Sequence, residues 1–297
     1  MHGLRRSRTS SPGVLIDSSE AFLRAVYEFW EEHGLPPRQA DLWSGHGITR
    51  SALSQRTARL VRDGLVELPD SIGIVLTEPG RAKARVVVRK HRVVELLLVR
   101  VIGLEWPAAH AEATYWQHIL GDDAERKILR LLDVPHRSPY GCPIPAIGEL
   151  LGAEPADDHK DRRPDDPPGT ARNNPVDTDP DRVAITVGDA AASGIRHGRI
   201  SHIVESVQNR KPVLEGLQAC CCLPGELVTV DLDDGCVCLS TSCGEVRLSA
   251  VESRGVLVDP VRSGTGDTLR GTPFPIGRNV RGAERVGRRP VLAVDIG

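Results

Sequence analysis

The sequence predicts a mainly α N-terminal half, built from a winged helix-turn-helix and a further helical segment, followed by a small C-terminal β-barrel. Three observations carry this reading. From 14 to 151, apolar residues recur at helical spacing between cap and stop residues. At 152–182, six prolines stand among many aspartates, a composition too polar and too hostile to helices to bury itself, which reads as a linker. From 183 to 260, short β-branched runs alternate with Gly, Pro and Asp, the mark of a small antiparallel sheet or barrel. Residues 1–13 read as a basic disordered arm, and 261–297, dominated by Gly, Arg and Pro, as a mostly unstructured tail.

Ile16 to Glu20 offers a cap and early acidic residues, and Phe22, Val26, Phe29 and Trp30 follow on one helical face before a stop at Gly34 to Pro37. A short helix is expected around Gln39 to Ser44, and Gly45-His46-Gly47 turns the chain. Thr49 then caps a helix whose inward residues are Leu53, Thr57, Leu60 and Val61, leaving Arg50, Gln55, Arg56, Arg59 and Arg62 outside. Asp63 to Leu68 and Ile74 to Thr77 read as a hairpin, after which Thr77 to Gly80 opens a long helix to about Arg100. Residues 14–85 thus form the winged helix-turn-helix, and 86–151 the second helical segment.

Over its 297 residues the chain carries a formal charge of -2, so a nucleic-acid surface must come from local clustering. Between Leu35 and Arg92 there are 11 Lys/Arg against 5 Asp/Glu, which makes this stretch the basic face. Candidate DNA contacts are Arg50, Ser51, Ser54, Gln55, Arg59 and Arg62. A Gln amide pairs twice with adenine, and arginines bind guanine edges or phosphates. Two-fold related readers imply a homodimer on a palindromic double-stranded operator.

The apolar runs fall short of the about 18 residues that a membrane span needs, and no long apolar run follows the basic arm, so no membrane partner and a cytoplasmic location are expected. No nucleophile, base and oxyanion arrangement or phosphate loop points to an enzyme. Six of the seven cysteines crowd into 220–243, which is unlike a spread disulfide framework and suggests a reducing compartment. Cys220, Cys222, Cys236 and Cys238 are candidates for a thiol site, since thiolates suit soft metals and redox switching. Read as strands, the run sends Cys220 and Cys222 to one side and Cys221 to the other.

His91 and Glu95 lie four apart on one helix face, as chelating ligands must. His110, Thr114, Gln117 and His118 share one face of the following helix.

Several separate blocks, in order and at near-constant spacing, resemble the diphtheria toxin repressor family of iron- and manganese-dependent regulators. They are Asp17 to Glu20, Leu23 to Glu28, Arg62 to Val66, Arg89 to Arg92, Ile102 to Leu104, His110 to Ala113 and Arg137 to Pro145, with a weaker match from Arg199-Ile200 through Pro224 to Val228. The resemblance implies a winged-helix DNA-binding domain, a helical metal-sensing and dimerisation domain at 86–151, and an FeoA-like small β-barrel. It implies a repressor of metal-homeostasis genes using a divalent transition metal, Fe2+ or Mn2+, with Zn2+ as a further option. His91, Glu95 and His110 fall at the family's ancillary-site ligands. At the activating site, Ala21, Thr114 and Gln117 replace a Met, a Cys and a Glu, and only His118 survives. The barrel's ancillary ligands, a Glu and a Gln, correspond to Arg210 and Val213. Arg92 and Ser138 match the anion-binding partners, with Cys142 in place of an Asn. The dimer surface is expected around Leu96, Leu97, Leu98, Val99 and Val101 with Trp106, Tyr115 and Trp116. The alternative reading is a thiol-redox or soft-metal sensing protein acting through its Cys-rich barrel.

Overall fold

The computed structural model describes residues 18–43, 49–69, 73–152, 184–261 and 291–292. The expected basic arm, nearly all of the linker and most of the tail lie outside these residues.

The N-terminal unit comprises α1 (Ser18–His33), α2 (Gln39–Trp43), α3 (Arg50–Arg62), a hairpin of β1 (Val66–Glu67) and β2 (Val75–Leu76), and α4 (Glu78–Leu97). Thr49 caps α3 by accepting a hydrogen bond from the Ala52 amide at 3.2 Å, and Thr77 caps α4 by accepting one from the Gly80 amide, also at 3.2 Å. Phe22, Leu23, Val26, Leu53, Leu60, Leu65 and Ile74 close one core beneath the hairpin. Each such side chain contributes roughly 1.5–3 kcal/mol on burial. Gly80 permits this packing: a Cβ there would stand 1.8 Å from the Leu65 carbonyl oxygen.

After α4 the helix widens into a π-helical turn (Leu98–Ile102), ended by Gly103 in the left-handed region. Then follow α5 (Trp106–Trp116), α6 (Asp122–Leu131) and α7 (Ile147–Leu151). Arg89 on α4 donates to Glu125 on α6 at 2.7 Å and to the Ala146 carbonyl at 2.9 Å, all within the interior. Leu96 and Leu98 are buried in the helical cores, and Trp106 lies in the C-terminal core, so these three do not form the exposed surface expected for dimerisation. Val101, Ile102, Tyr115 and Ile119 are the exposed apolar residues of this face.

The C-terminal unit contains β3 (Ile185–Thr186), α8 (Val187–Ala192), β4 (His197–Ile203), α9 (Glu205–Gln208), α10 (Lys211–Ala219), β5 (Leu227–Asp233), β6 (Cys236–Ser240), β7 (Glu245–Leu248), a 3-10 turn (Glu252–Arg254), β8 (Val256–Pro260) and β9 (Val291–Leu292). The strand order is β3-β8-β4-β5-β6-β7-β9, antiparallel throughout except for the parallel β7–β9 pair. Among the described residues no pairing joins β3 to β9, and the described strands form one seven-stranded sheet. Residues 291–292 extend it, a departure from the expected unstructured tail.

The two halves interlock. Tyr140 inserts into the C-terminal core and donates its hydroxyl to the Trp106 carbonyl at 2.8 Å, while its own carbonyl accepts from the Ile203 amide at 2.8 Å. Gly141, at φ +84°, makes the turn possible, because a Cβ would stand 2.3 Å from the Ser201 carbonyl oxygen. This contact sets α9 beside α4 and α5.

Candidate metal centre and nucleic-acid interface

The histidines and Glu95 converge as their spacing suggested. One turn apart on α4, His91 and Glu95 both face α5, and Glu95 Oε1 stands 2.8 Å from His91 Nε2 and 2.9 Å from His110 Nδ1. Glu205, the first residue of α9, completes the group, with Oε1 3.5 Å from His110 Nε2 and 3.9 Å from His91 Nε2. One ligand atom each from His91, His110 and Glu205 lies within 4.8 Å of the others. His91 and Glu95 are completely buried, and His91 Nε2 and Glu95 Oε2 have no hydrogen-bond partner. Two buried polar atoms without hydrogen-bond partners, aimed into a cluster of imidazoles and carboxylates, fit a divalent cation.

Glu205 corrects the sequence reading. Arg210 instead reaches Glu252 at 3.4 Å, and Val213 packs in the C-terminal core. The residue pair Glu205 and Gln208 has the Glu-x-x-Gln spacing sought at Arg210 and Val213, five positions further along.

Arg24 of α1, also missed, stands inside the cluster. It donates to His91 Nδ1 and to Gln117 Oε1, both at 2.7 Å, to Glu28 at 2.8 Å, and to Glu205. Burial and the Arg24 charge hold His91 below its ordinary pKa. Burial opposes ionisation of Glu95 and Glu205, but His91 and His110 for the first, and Arg24 and the histidines for the second, outweigh it and lower both. Burial likewise opposes the His110 charge, yet Glu205 and Glu95 push it up to about 9.

The four activating-site positions behave differently. His118 Nδ1 lies 2.6 Å from Glu20 on α1, and His118 Nε2 lies 2.9 Å from the Gln117 amide nitrogen. Thr114 donates to the His110 carbonyl at 3.2 Å. Ala21 offers no donor atom. Every polar group in this set is already engaged, and the set lacks the charge a divalent ion requires, so it does not fit one. His118 is not among the residues that converge around His91.

At the expected anion site, Arg92 pairs with both oxygens of Glu31 and donates to the Pro143 carbonyl. Ser138 Oγ accepts from the Tyr140 amide at 3.2 Å, and Cys142 Sγ donates to the Ile203 carbonyl at 3.2 Å. Glu31 thereby supplies a carboxylate where an external anion was expected.

The thiols do not assemble. Cys220 and Cys222 belong to the apolar core at the end of α10 and beyond it, not to a strand, and Cys238 is buried while Cys236 is half-buried on β6. Burial raises Cys220 and Cys238 and pushes Cys222 up to about 12, which favours thiol over the thiolate a soft metal needs. No group of three converging ligands among the described residues contains a thiol. Cys221 and Cys243 form a disulfide, whereas the crowding of the cysteines had suggested a reducing compartment.

On α3, Leu53, Thr57 and Leu60 are buried, while Arg50, Ser51, Ser54, Gln55, Arg59 and Arg62 are all exposed. Arg59 makes a surface pair with Asp63 at 3.7 Å.

Residues 77–146 match the family model described as "Iron dependent repressor, metal binding and dimerisation domain". The iron-dependent repressor IdeR of Mycobacterium tuberculosis is 43% identical over 145 residues, which cover 48% of this chain and 63% of that protein. The diphtheria toxin repressor of Corynebacterium glutamicum is 41% identical over 144 residues, covering 48% of this chain and 62% of its own. The chain thus spans less than two thirds of the length of these relatives. Two solved structures share the fold. A manganese-dependent transcriptional repressor in complex with manganese has a TM-score of 0.62 at 20% identity, covering 82% of this chain and 100% of its own. The T. acidophilum IdeR has a TM-score of 0.59 at 19% identity, covering 85% and 99%. The resemblance to the diphtheria toxin repressor family read from the sequence is borne out.

Proposed function

We propose that this chain is a DNA-binding transcriptional repressor of the iron- and manganese-dependent kind, acting in the cytoplasm as a homodimer on a palindromic operator. The observation that carries this reading is the exposed row Arg50, Ser51, Ser54, Gln55, Arg59 and Arg62 on α3, opposite a face closed by Leu53, Thr57 and Leu60. In this reading residues 14–85 read the DNA, 86–151 sense metal and dimerise through the face bearing Val101, Ile102, Tyr115 and Ile119, and the C-terminal sheet is a small FeoA-like barrel joined by the linker at 152–182. The regulated genes belong to metal homeostasis.

The cofactor is a divalent transition metal, Fe2+ or Mn2+ in the first place and Zn2+ as the competitor, held by His91, Glu95, His110 and Glu205. Bound there, the ion would join α4, α5 and α9 through one charge centre. The protein's own part is to keep the two imidazoles nearly perpendicular, with ring centroids 5.2 Å apart, and to hold Glu95 between them. The activating-site positions around His118 are assigned no ion. Electrophoretic shift of a duplex from the chain's own promoter region, with chelator and then with Fe(II), Mn(II) and Zn(II), tests the reading. A metal-dependent shift supports it, and no shift under any condition overturns it.

A further inference from the structure

The cluster holds a permanent cation of its own. We propose that Arg24 competes with the divalent ion for the His91, Glu95, His110 and Glu205 centre, so that metal uptake requires the guanidinium to leave and thereby signals directly to α1. This inference rests on the reading of that centre as an ion site.

Hydrogen-bond polarity carries the argument. A guanidinium only donates, so His91 Nδ1, 2.7 Å from Arg24 Nη1, accepts and carries no hydrogen. The neutral ring then bears its hydrogen on Nε2, the atom that faces Glu95 and Glu205 at 2.8 and 3.9 Å. An ion ligated through Nε2 needs that lone pair free, which leaves the ring hydrogen on Nδ1, pointing at an Arg24 N–H. Two donors cannot share that contact.

Charge leads to the same place. Arg24 already neutralises Glu28 and Glu205, one of the carboxylates an ion would claim. A guanidinium bonded to two of the ligands repels a dication at close range. Arg24 is 7% exposed and also donates to Gln117, the residue that caps α5, so its departure would break contacts to the end of α5 and to α9 together. The residue that senses the ion is therefore carried by the first helix of the DNA-reading unit.

Mn(II), a hard ion with little taste for thiolates, is the probe, with the free ion counted by electron paramagnetic resonance on the full chain without DNA. Arg24→Met, which removes both charge and donor, should bind Mn(II) at least tenfold more tightly than the parent, about 1.4 kcal/mol. Arg24→Lys should stay near the parent. Equal or weaker binding by Arg24→Met when the parent does bind overturns the competition while leaving the ion site standing. No binding by the parent or either variant overturns the ion site and the competition with it. Should Arg24→Met fail to fold, the parent still decides. Phenylglyoxal modification of Arg24, followed by peptide mass spectrometry, should accelerate at least fivefold on Mn(II) binding, and an unchanged or slower rate refutes the proposal.

Discussion

Glu20 Oε2 on α1 lies 2.6 Å from His118 Nδ1, just beyond the end of α5, so the carboxylate of one helix meets the imidazole at the end of another. The Gln117 amide, 2.9 Å away, engages the other ring nitrogen. Through these two contacts His118 ties α1 of the N-terminal unit to the end of α5.

Calorimetry on the full chain should therefore give at most one divalent ion per chain, held at His91, Glu95, His110 and Glu205. His118→Ala should leave that stoichiometry unchanged. Two tight ions per chain, or loss of the single ion in His118→Ala, would contradict the assignment.

Among the described residues Glu205 is the one member of the candidate centre that comes from the C-terminal half, so Glu205→Gln should weaken Mn(II) binding by at least tenfold, whereas Arg210→Ala should not alter it. Replacing a carboxylate by a neutral amide removes the charge that a hard cation is held by. The same change leaves Arg24 with one anionic partner fewer, and breaking a buried pair costs about 3–5 kcal/mol, so Glu205→Gln should also lower the unfolding midpoint. Equal ion affinities for Glu205→Gln and the parent would return the ligand question to α10.

On α3 the two kinds of contact should separate. Gln55→Ala should relax base preference at one operator position by about 1–3 kcal/mol. Arg59→Ala should weaken binding to all duplexes and flatten the salt dependence, at little cost to stability because its pair with Asp63 is exposed. The comparison is a binding titration on matched and single-substituted duplexes at two salt concentrations. Both variants behaving as the parent on every duplex would remove α3 from the interface.

The helices of the N-terminal unit were legible because their signals are local. Thr49 and Thr77 announce caps within a turn of the bonds they make, and Leu53, Thr57 and Leu60 announce a buried face by spacing, whereas Val61, expected on that face, is exposed. His91, Glu95 and His110 were legible for the same reason, aided by the resemblance. Glu205 was misplaced because the linker at 152–182 separates it from the better-matched blocks and leaves no spacing by which to count, so the register slipped by five residues onto Arg210 and Val213. Arg24 and Glu31 look like ordinary polar residues on a surface helix. Only the packing of α1 against α4 shows that they point inward at His91 and Arg92. Cys220 to Cys222 read as a strand because thiols have no strong local preference, whereas they finish α10 and turn through Cys221 at φ +54°.

The half-buried His202 on β4 gives the fold a titration that can be isolated. Burial, then the charges of Arg137 and Arg92, depress its pKa to about 4. Glu31, Glu32, Glu205 and Cys142 line the same small cavity, so the histidine is packed against groups of both signs. A histidine with a lowered folded pKa is neutral in the native protein, while the unfolded chain accepts its proton once the pH drops below the ordinary value near 6.5. Its effect on stability is therefore absent above that value, grows as the pH falls toward 4, and levels off below it. The full difference is on the order of 3 kcal/mol. Urea unfolding of the parent and of His202→Gln should diverge over this window, the variant losing less stability per unit of acidification. Curves that stay parallel from pH 7 to pH 4 would show that His202 titrates alike in the folded and unfolded chain.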